Sequence, residues 1–226
     1  DWELFVECVQ QKRKAPRETA DKNLERVDYM RILIDIGHPA HVHFFKNFIW
    51  LMEKKGHEIK IVARDKDIAF YLLKVYGFKF VNIGKHKKSL IRKIGGMIQF
   101  DKKILDVVKT FKPDLMMGVG SPYIAQTGKL KHIPTVIFTD TEHVWYLPMR
   151  LATIKLATYV VTPTCFKLSF GKNHIRYNGY QELAYLHPKY FKPKKRIVKE
   201  LGLSKNEKFF ILAVFCLNCK YSKNHA

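Results

Sequence analysis

Short apolar runs alternate with amphipathic stretches along most of the chain. The runs are Ile32–Ile36, Ile59–Ala63, Phe78–Ile83, Leu115–Val119, Thr135–Phe138 and Tyr159–Val161. They are rich in Ile, Val and Phe, and several stop at a glycine or a polar turn, as strands buried on both faces of a parallel sheet do. Between them, "HFFKNFIWLMEKKG" closes with Lys54, Lys55 and Gly56, and "KDIAFYLLKVYG" closes at Gly77. Basic residues and a glycine stop mark helix C-termini. Six strands separated by five helices predict an α/β domain with a doubly wound, mostly parallel, Rossmann-like sheet. There is no internal repeat and no low-complexity tract.

The two ends depart from this pattern. Residues 1–29 are charged, carry no strand pattern and precede Met30, a natural start for the first strand, so they read as an N-terminal extension. The alternating pattern occupies residues 30–186. Residues 187–207 are rich in proline and lysine with room for one short helix, which suits a connector. Residues 208–226 contain "FFILAVF", the expected first strand of a second domain that the chain leaves incomplete.

Composition narrows the functional classes. With 226 residues, 47% hydrophobic and 13% aromatic, the chain can bury a substantial core and is not a disordered protein. Forty-one Lys and Arg against 20 Asp and Glu give a formal charge of +21, which favours anionic partners. Nucleic acid is disfavoured among them, because no RNA-binding signature is present and the lysines are spread over many helices. Four scattered cysteines, Cys8, Cys165, Cys216 and Cys219, suit a reducing, cytoplasmic setting. Cys216-x-x-Cys219 lacks the further ligands of a zinc site, and neither metal nor cofactor is expected. The longest apolar run, Phe209–Leu217, is far short of the roughly 20 residues of a membrane span.

Candidate chemistry gathers after the apolar runs. In a doubly wound sheet, ligands bind beyond the carboxyl ends of the strands where strand order reverses, between the first and fourth strands in the common order. There the chain reads "GHPAHVH" and "GVGSP". Gly37 permits a sharp turn, and the following helix N-terminus favours an anion and a neutral histidine. His41, with His38 beside it, is therefore a candidate general base, while His43 falls among phenylalanines and reads as packing. Gly118, Gly120 and Ser121 form a turn for close ligand approach, with Ser121 a helix cap or hydrogen-bonding group. "TDTEH" adds Asp140 and Glu142 as catalytic candidates and Thr141 and His143 as ligand contacts. Asn178 and Gly179 make a turn near the expected interdomain cleft. Lys87, Lys88, Arg92 and Lys93 alternate with apolar residues, a mixture suited to an anionic membrane surface and hence to a peripheral location on the cell membrane's inner face. Each cluster also has a plain structural reading as a cap, a turn or a solvated helix face.

Four segments, "MRILIDIGHPAHVHFFKN", "KPDLMMGVGSPYIAQTGKL", "VIFTDTEHV" and "YNGYQELAYLHPKYFKP", resemble in order and spacing the domain-of-unknown-function family DUF354. That family is similar to GT-B glycosyltransferases and nucleoside-diphosphate-sugar 2-epimerases. The resemblance implies the Rossmann-like N-terminal domain of a GT-B fold. It further implies a glycosyltransferase-like protein, moving sugar from a nucleotide-sugar donor to a cell-envelope, polysaccharide or lipid-linked acceptor. A 2-epimerase-like enzyme and a non-enzymatic protein binding an anionic membrane or polymer are the alternatives. In GT-B enzymes the second domain supplies most donor contacts. Where the family continues with an Arg-Phe segment this chain reads "ILAVFCLNCKYSKNHA", so by itself it is expected to be inactive.

Overall fold

Alternation along β1, Arg31–Ile36, decides which side chains meet which layer. Ile32, Ile34 and Ile36 join one apolar cluster and Leu33 the other, so Asp35 belongs to the side of Leu33. The computed structural model describes residues 29–85, 90–142 and 150–203. After β1 come α1 (Pro39–Lys54), β2 (Glu58–Asp65), α2 (Ala69–Val75), β3 (Phe80–Lys85), α3 (Leu90–Phe111), β4 (Leu115–Val119), α4 (Pro122–Lys131) and β5 (Thr135–Phe138). A π-helical turn (Arg150–Ile154), β6 (Tyr159–Pro163), β7 (His174–Tyr177), α5 (Leu183–Leu186) and α6 (Lys195–Glu200) complete the order.

The strands form one sheet in the order β3-β2-β1-β4-β5-β6-β7, and every pairing is parallel. The architecture is α/β and Rossmann-like, and strand order reverses between β1 and β4, where Asp35 pairs with Gly118. All six expected strands are present, β4 and β5 with the expected bounds and β3 two residues later. A seventh, β7, adds itself at the edge.

On one face α1 lays Phe44, Phe45, Phe48, Ile49 and Met52 over the isoleucines of β1, with Phe44 and Phe45 edge-on to Phe138 at 5.1 and 5.9 Å. On the other, Ile104 and Val108 of α3 and Tyr123, Ile124 and Ala125 of α4 cover Leu33, Val62, Met116 and Ile137. These continuous apolar strands and one-sided helices are the physical basis of the two-layer wrapping. β7 reaches β6 through residues 164–173, which hold no helix. The Arg176 guanidinium spans that connection, donating to the carbonyls of Thr164, Phe166 and Leu168 at 3.3, 2.5 and 3.0 Å.

The chain divides into two compact units, parting between Tyr190 and Phe191. The sheet belongs to the first. In the second the described residues include α6, where Arg196 and Glu200 pair one turn apart at 3.6 Å. Residues 208–226, expected to open a second domain, lie outside the described residues.

Candidate functional site

Because all strands run parallel, the loops after β1, β4, β5 and β7 emerge along one edge of the sheet. At the β1–β4 reversal, two helices start in the same way. His38 caps α1 with Pro39 next in line, and Ser121 caps α4 with Pro122 next. Proline suits the first helical position because that amide has no partner within the helix. His38 takes the amide proton of Ala40 on Nδ1 at 3.2 Å, and Ser121 accepts from Ile124 N at 3.4 Å. His41 turns back one turn, and its Nδ1 accepts the Gly37 amide at 3.2 Å. Near the start of α1, the amides of Gly37 and Ala40 are thus engaged by the chain's own imidazoles.

These bonds fix chemistry as well as shape. With Nδ1 accepting, neutral His41 carries its proton on Nε2. Burial first, then the positive charges of Arg64, His38 and Lys66, push its pKa down to about 3, so the ring is neutral at physiological pH. His38, 5.9 Å from it ring to ring, is shifted down by burial and by Lys66. His43 lies elsewhere, packed edge-on to Tyr76 and beside Tyr185, with Tyr76 Oη 3.2 Å from Nδ1.

Under the two caps lies a group that the apolar pattern concealed. The Asp35 carboxylate is fully buried and receives the Arg64 guanidinium at 2.8 Å and the Ser121 hydroxyl at 2.6 Å, both on Oδ2. Arg64 stacks over the Tyr123 ring at 5.1 Å from its centroid. Its guanidinium passes so close to Gly37 that a β-carbon there would overlap it, and a β-carbon on Gly118 would press on Ser121 at 3.0 Å. Gly120 has φ +53° and open space around it, so it serves the turn. In the sequence Asp35 stands out as the lone charge inside the run "LIDIG", whereas Arg64, beside Asp65 at the end of "IVARD", carries no such signal. Buried ions of this kind are paired or absent.

A second group lies past β5, β6 and β7. Asp140 and Thr141 are exposed, with Thr141 Oγ1 donating to Asp140 Oδ1 at 2.9 Å. Glu142 accepts the Lys167 amide and so ties its loop to the β6–β7 connection. Asn178 is exposed, and Gly179 has φ +135° with Leu183 against it. Tyr177, ending β7, has a buried hydroxyl whose pKa is raised strongly by burial and then by Asp140 and Glu182. Burial and the same two carboxylates also raise that of Tyr185. Asn47 of α1 donates to the Ala184 carbonyl at 2.7 Å and holds α5 in place. His143, Lys87 and Lys88 lie outside the described residues, as do the side chains of Arg92 and Lys93 on α3.

The model of a family described as "Protein of unknown function (DUF354)" matches residues 30–226. An uncharacterized protein of Methanocaldococcus jannaschii is 25% identical over 202 residues, covering 86% of this chain and 58% of its own length. The chain therefore spans little more than half of that curated relative. A UDP-N-acetylglucosamine–N-acetylmuramyl-(pentapeptide) pyrophosphoryl-undecaprenol N-acetylglucosamine transferase of Listeria monocytogenes is 33% identical over 100 residues, 42% of this chain and 26% of that one. Among solved structures, MurG of Acinetobacter baumannii superimposes with a TM-score of 0.53 at 14% identity, over 65% of this chain and 45% of that one. The likeness is one of fold, an α/β Rossmann-like sheet matching part of that GT-B neighbour.

Proposed function

The chain belongs to the DUF354 family, and from that premise we propose that the family protein is a glycosyltransferase. It would move sugar from a nucleotide-sugar donor to a cell-envelope, polysaccharide or lipid-linked acceptor, with the sheet edge described here forming one wall of the cleft. The observation that carries the reading is His41 at the β1–β4 reversal, held neutral with its Nδ1 engaged by the Gly37 amide and its proton therefore on Nε2. Such a ring donates a hydrogen bond to the phosphate oxygen that gains charge as the donor's sugar–phosphate bond breaks. In this reading the base role expected for His41 becomes a donor role, because a base at Nε2 would need the tautomer that opposes the Gly37 amide. The Asp35–Arg64–Ser121 group holds both helix starts around it, Arg64 against Gly37 and Ser121 as the α4 cap. Asp140, Thr141, Asn178 and Gly179 stand as the ligand-contacting loops on the far side, and Glu142 as the residue that sets their position.

The test uses a DUF354 protein of the full length of the Methanocaldococcus relative, assayed for consumption of UDP-N-acetylglucosamine and related nucleotide sugars. His41→Ala should lower kcat by about 10²–10³, the usual loss of a donor aimed at developing charge, and leave donor affinity within about twofold. Unchanged kcat would remove His41 from the chemistry. Inversion of the sugar at C2 without transfer, read by NMR, would replace transfer with epimerisation.

A further inference from the structure

The loops past β5 and β7 hold polar groups that neither the capping pattern nor the histidine chemistry uses. The Tyr177 hydroxyl and the Gln181 side-chain amide nitrogen are both buried without a hydrogen-bond partner. Burial of unpaired donors is costly, and native proteins leave few of them without a ligand or a bound water to meet them. Tyr177 ends β7 opposite Pro163 of β6, and its carbonyl accepts the Thr164 amide at 2.9 Å, so its backbone is fixed at the strand-end edge. Asp140, Thr141, Asn178 and Glu182 are exposed, and Asp140 and Glu182 lie near enough to Tyr177 for their charges to act on its hydroxyl.

We propose that the carboxyl end of β7 is a hydroxyl-recognition site, in which Tyr177, Gln181, Asp140 and Glu182 bind vicinal hydroxyls of an uncharged sugar ring. The proposal rests on the sugar-handling reading and adds its polar contacts. The class of ligand follows from the groups. Tyr177 and Gln181 offer protons, and the two carboxylates only accept them. A sugar hydroxyl is donor and acceptor at once, so adjacent hydroxyls satisfy both kinds together. A phosphate would answer the donors but meet two carboxylates of its own sign. An ammonium would answer the carboxylates and leave the Tyr177 and Gln181 protons unmet. The raised pKa of Tyr177 agrees with this division, since it keeps the phenol protonated as a donor.

The 226-residue chain is titrated by NMR with N-acetylglucosamine, glucose, UDP and ethylamine, in wild type, Tyr177→Phe and Gln181→Leu. Neither substitution removes a hydrogen bond from the ligand-free protein, so Tm should hold or rise. Saccharide affinity should fall about five- to tenfold in each, the value of one hydrogen bond. Gln181→Leu keeps the test decisive if Tyr177→Phe fails to fold. Saccharide bound equally by wild type and both variants overturns the β7 site and leaves the sugar reading standing. Binding of UDP or ethylamine in place of saccharide overturns the ligand class. No saccharide binding by wild type overturns the β7 site, and if the full-length relative also binds no UDP-N-acetylglucosamine the sugar reading falls with it.

Discussion

A single buried carboxylate organises the reversal point. Asp35 is held by Arg64 from the neighbouring strand and by Ser121 at the start of α4, and each partner loses its reason to be buried if the others go. Removing one member of a buried pair leaves an uncompensated charge at about 3–5 kcal/mol. Asp35→Leu and Arg64→Met should each lose about that much in urea denaturation, while the two together should lose clearly less than the sum. Additive losses would mean the two charges do not act as a pair. The histidines give a pH signature of known sign. His41 has a folded pKa lowered to about 3 against an unfolded value of 6.5, so its contribution to stability is present above pH 6.5 and is lost as pH falls from there toward 3. The loss is at most about 1.4 kcal/mol per pH unit in that window. His38, His43 and His174 are shifted in the same direction. His41→Gln should therefore flatten, without abolishing, the decline between pH 6.5 and 4.5 in a denaturation series, and an unaltered slope would count against His41 as its main source.

Elements differ in how plainly they were written in the chain. β4 and β5 are unbroken apolar runs between turn residues and were legible to the residue, as was the reversal of strand order that places the site. Histidine and serine before proline announced the two capped helices. β7 was not legible, because His174, Ile175, Arg176 and Tyr177 are half polar and the strand lies at the edge, where Arg176 serves the connecting loop instead of the core. The ion pair was hidden for another reason. Asp35 and Arg64 are 29 residues apart, and only parallel pairing of β1 with β2 makes them neighbours. The same packing separates two glycines that look alike in sequence. Gly120→Ala meets no neighbour and strains only φ, at about 1–2 kcal/mol. Gly37→Ala drives a methyl into the Arg64 guanidinium and should cost more, by displacing it from Asp35. Thermal unfolding of the two variants checks the order, and a milder loss at Gly37 would mean that Arg64 can move aside freely.

At the scale of the molecule, charge is the property that no single loop explains. The formal charge of +21 is far above what one phosphate-bearing ligand needs, and it spreads over both units of the chain. Among the described residues no helix is long and apolar enough to cross a membrane. Each Lys or Arg close to an anionic leaflet contributes about 1 kcal/mol, and Lys87, Lys88, Arg92 and Lys93 stand within seven residues of one another in the sequence. A protein that hands sugar to a lipid-linked acceptor would gain from such attraction, because it confines the search for acceptor to two dimensions. The expected outcome is cosedimentation with vesicles containing anionic lipid and not with neutral ones. Binding should fade at about 1 M salt, where the Debye length shrinks to roughly 3 Å. Changing the four residues to Glu reverses eight charge units locally and should abolish binding at moderate salt while leaving Tm within a few degrees. Binding that ignores lipid charge, or survives the reversal, would assign these lysines and arginines to solubility alone and point the acceptor away from the membrane.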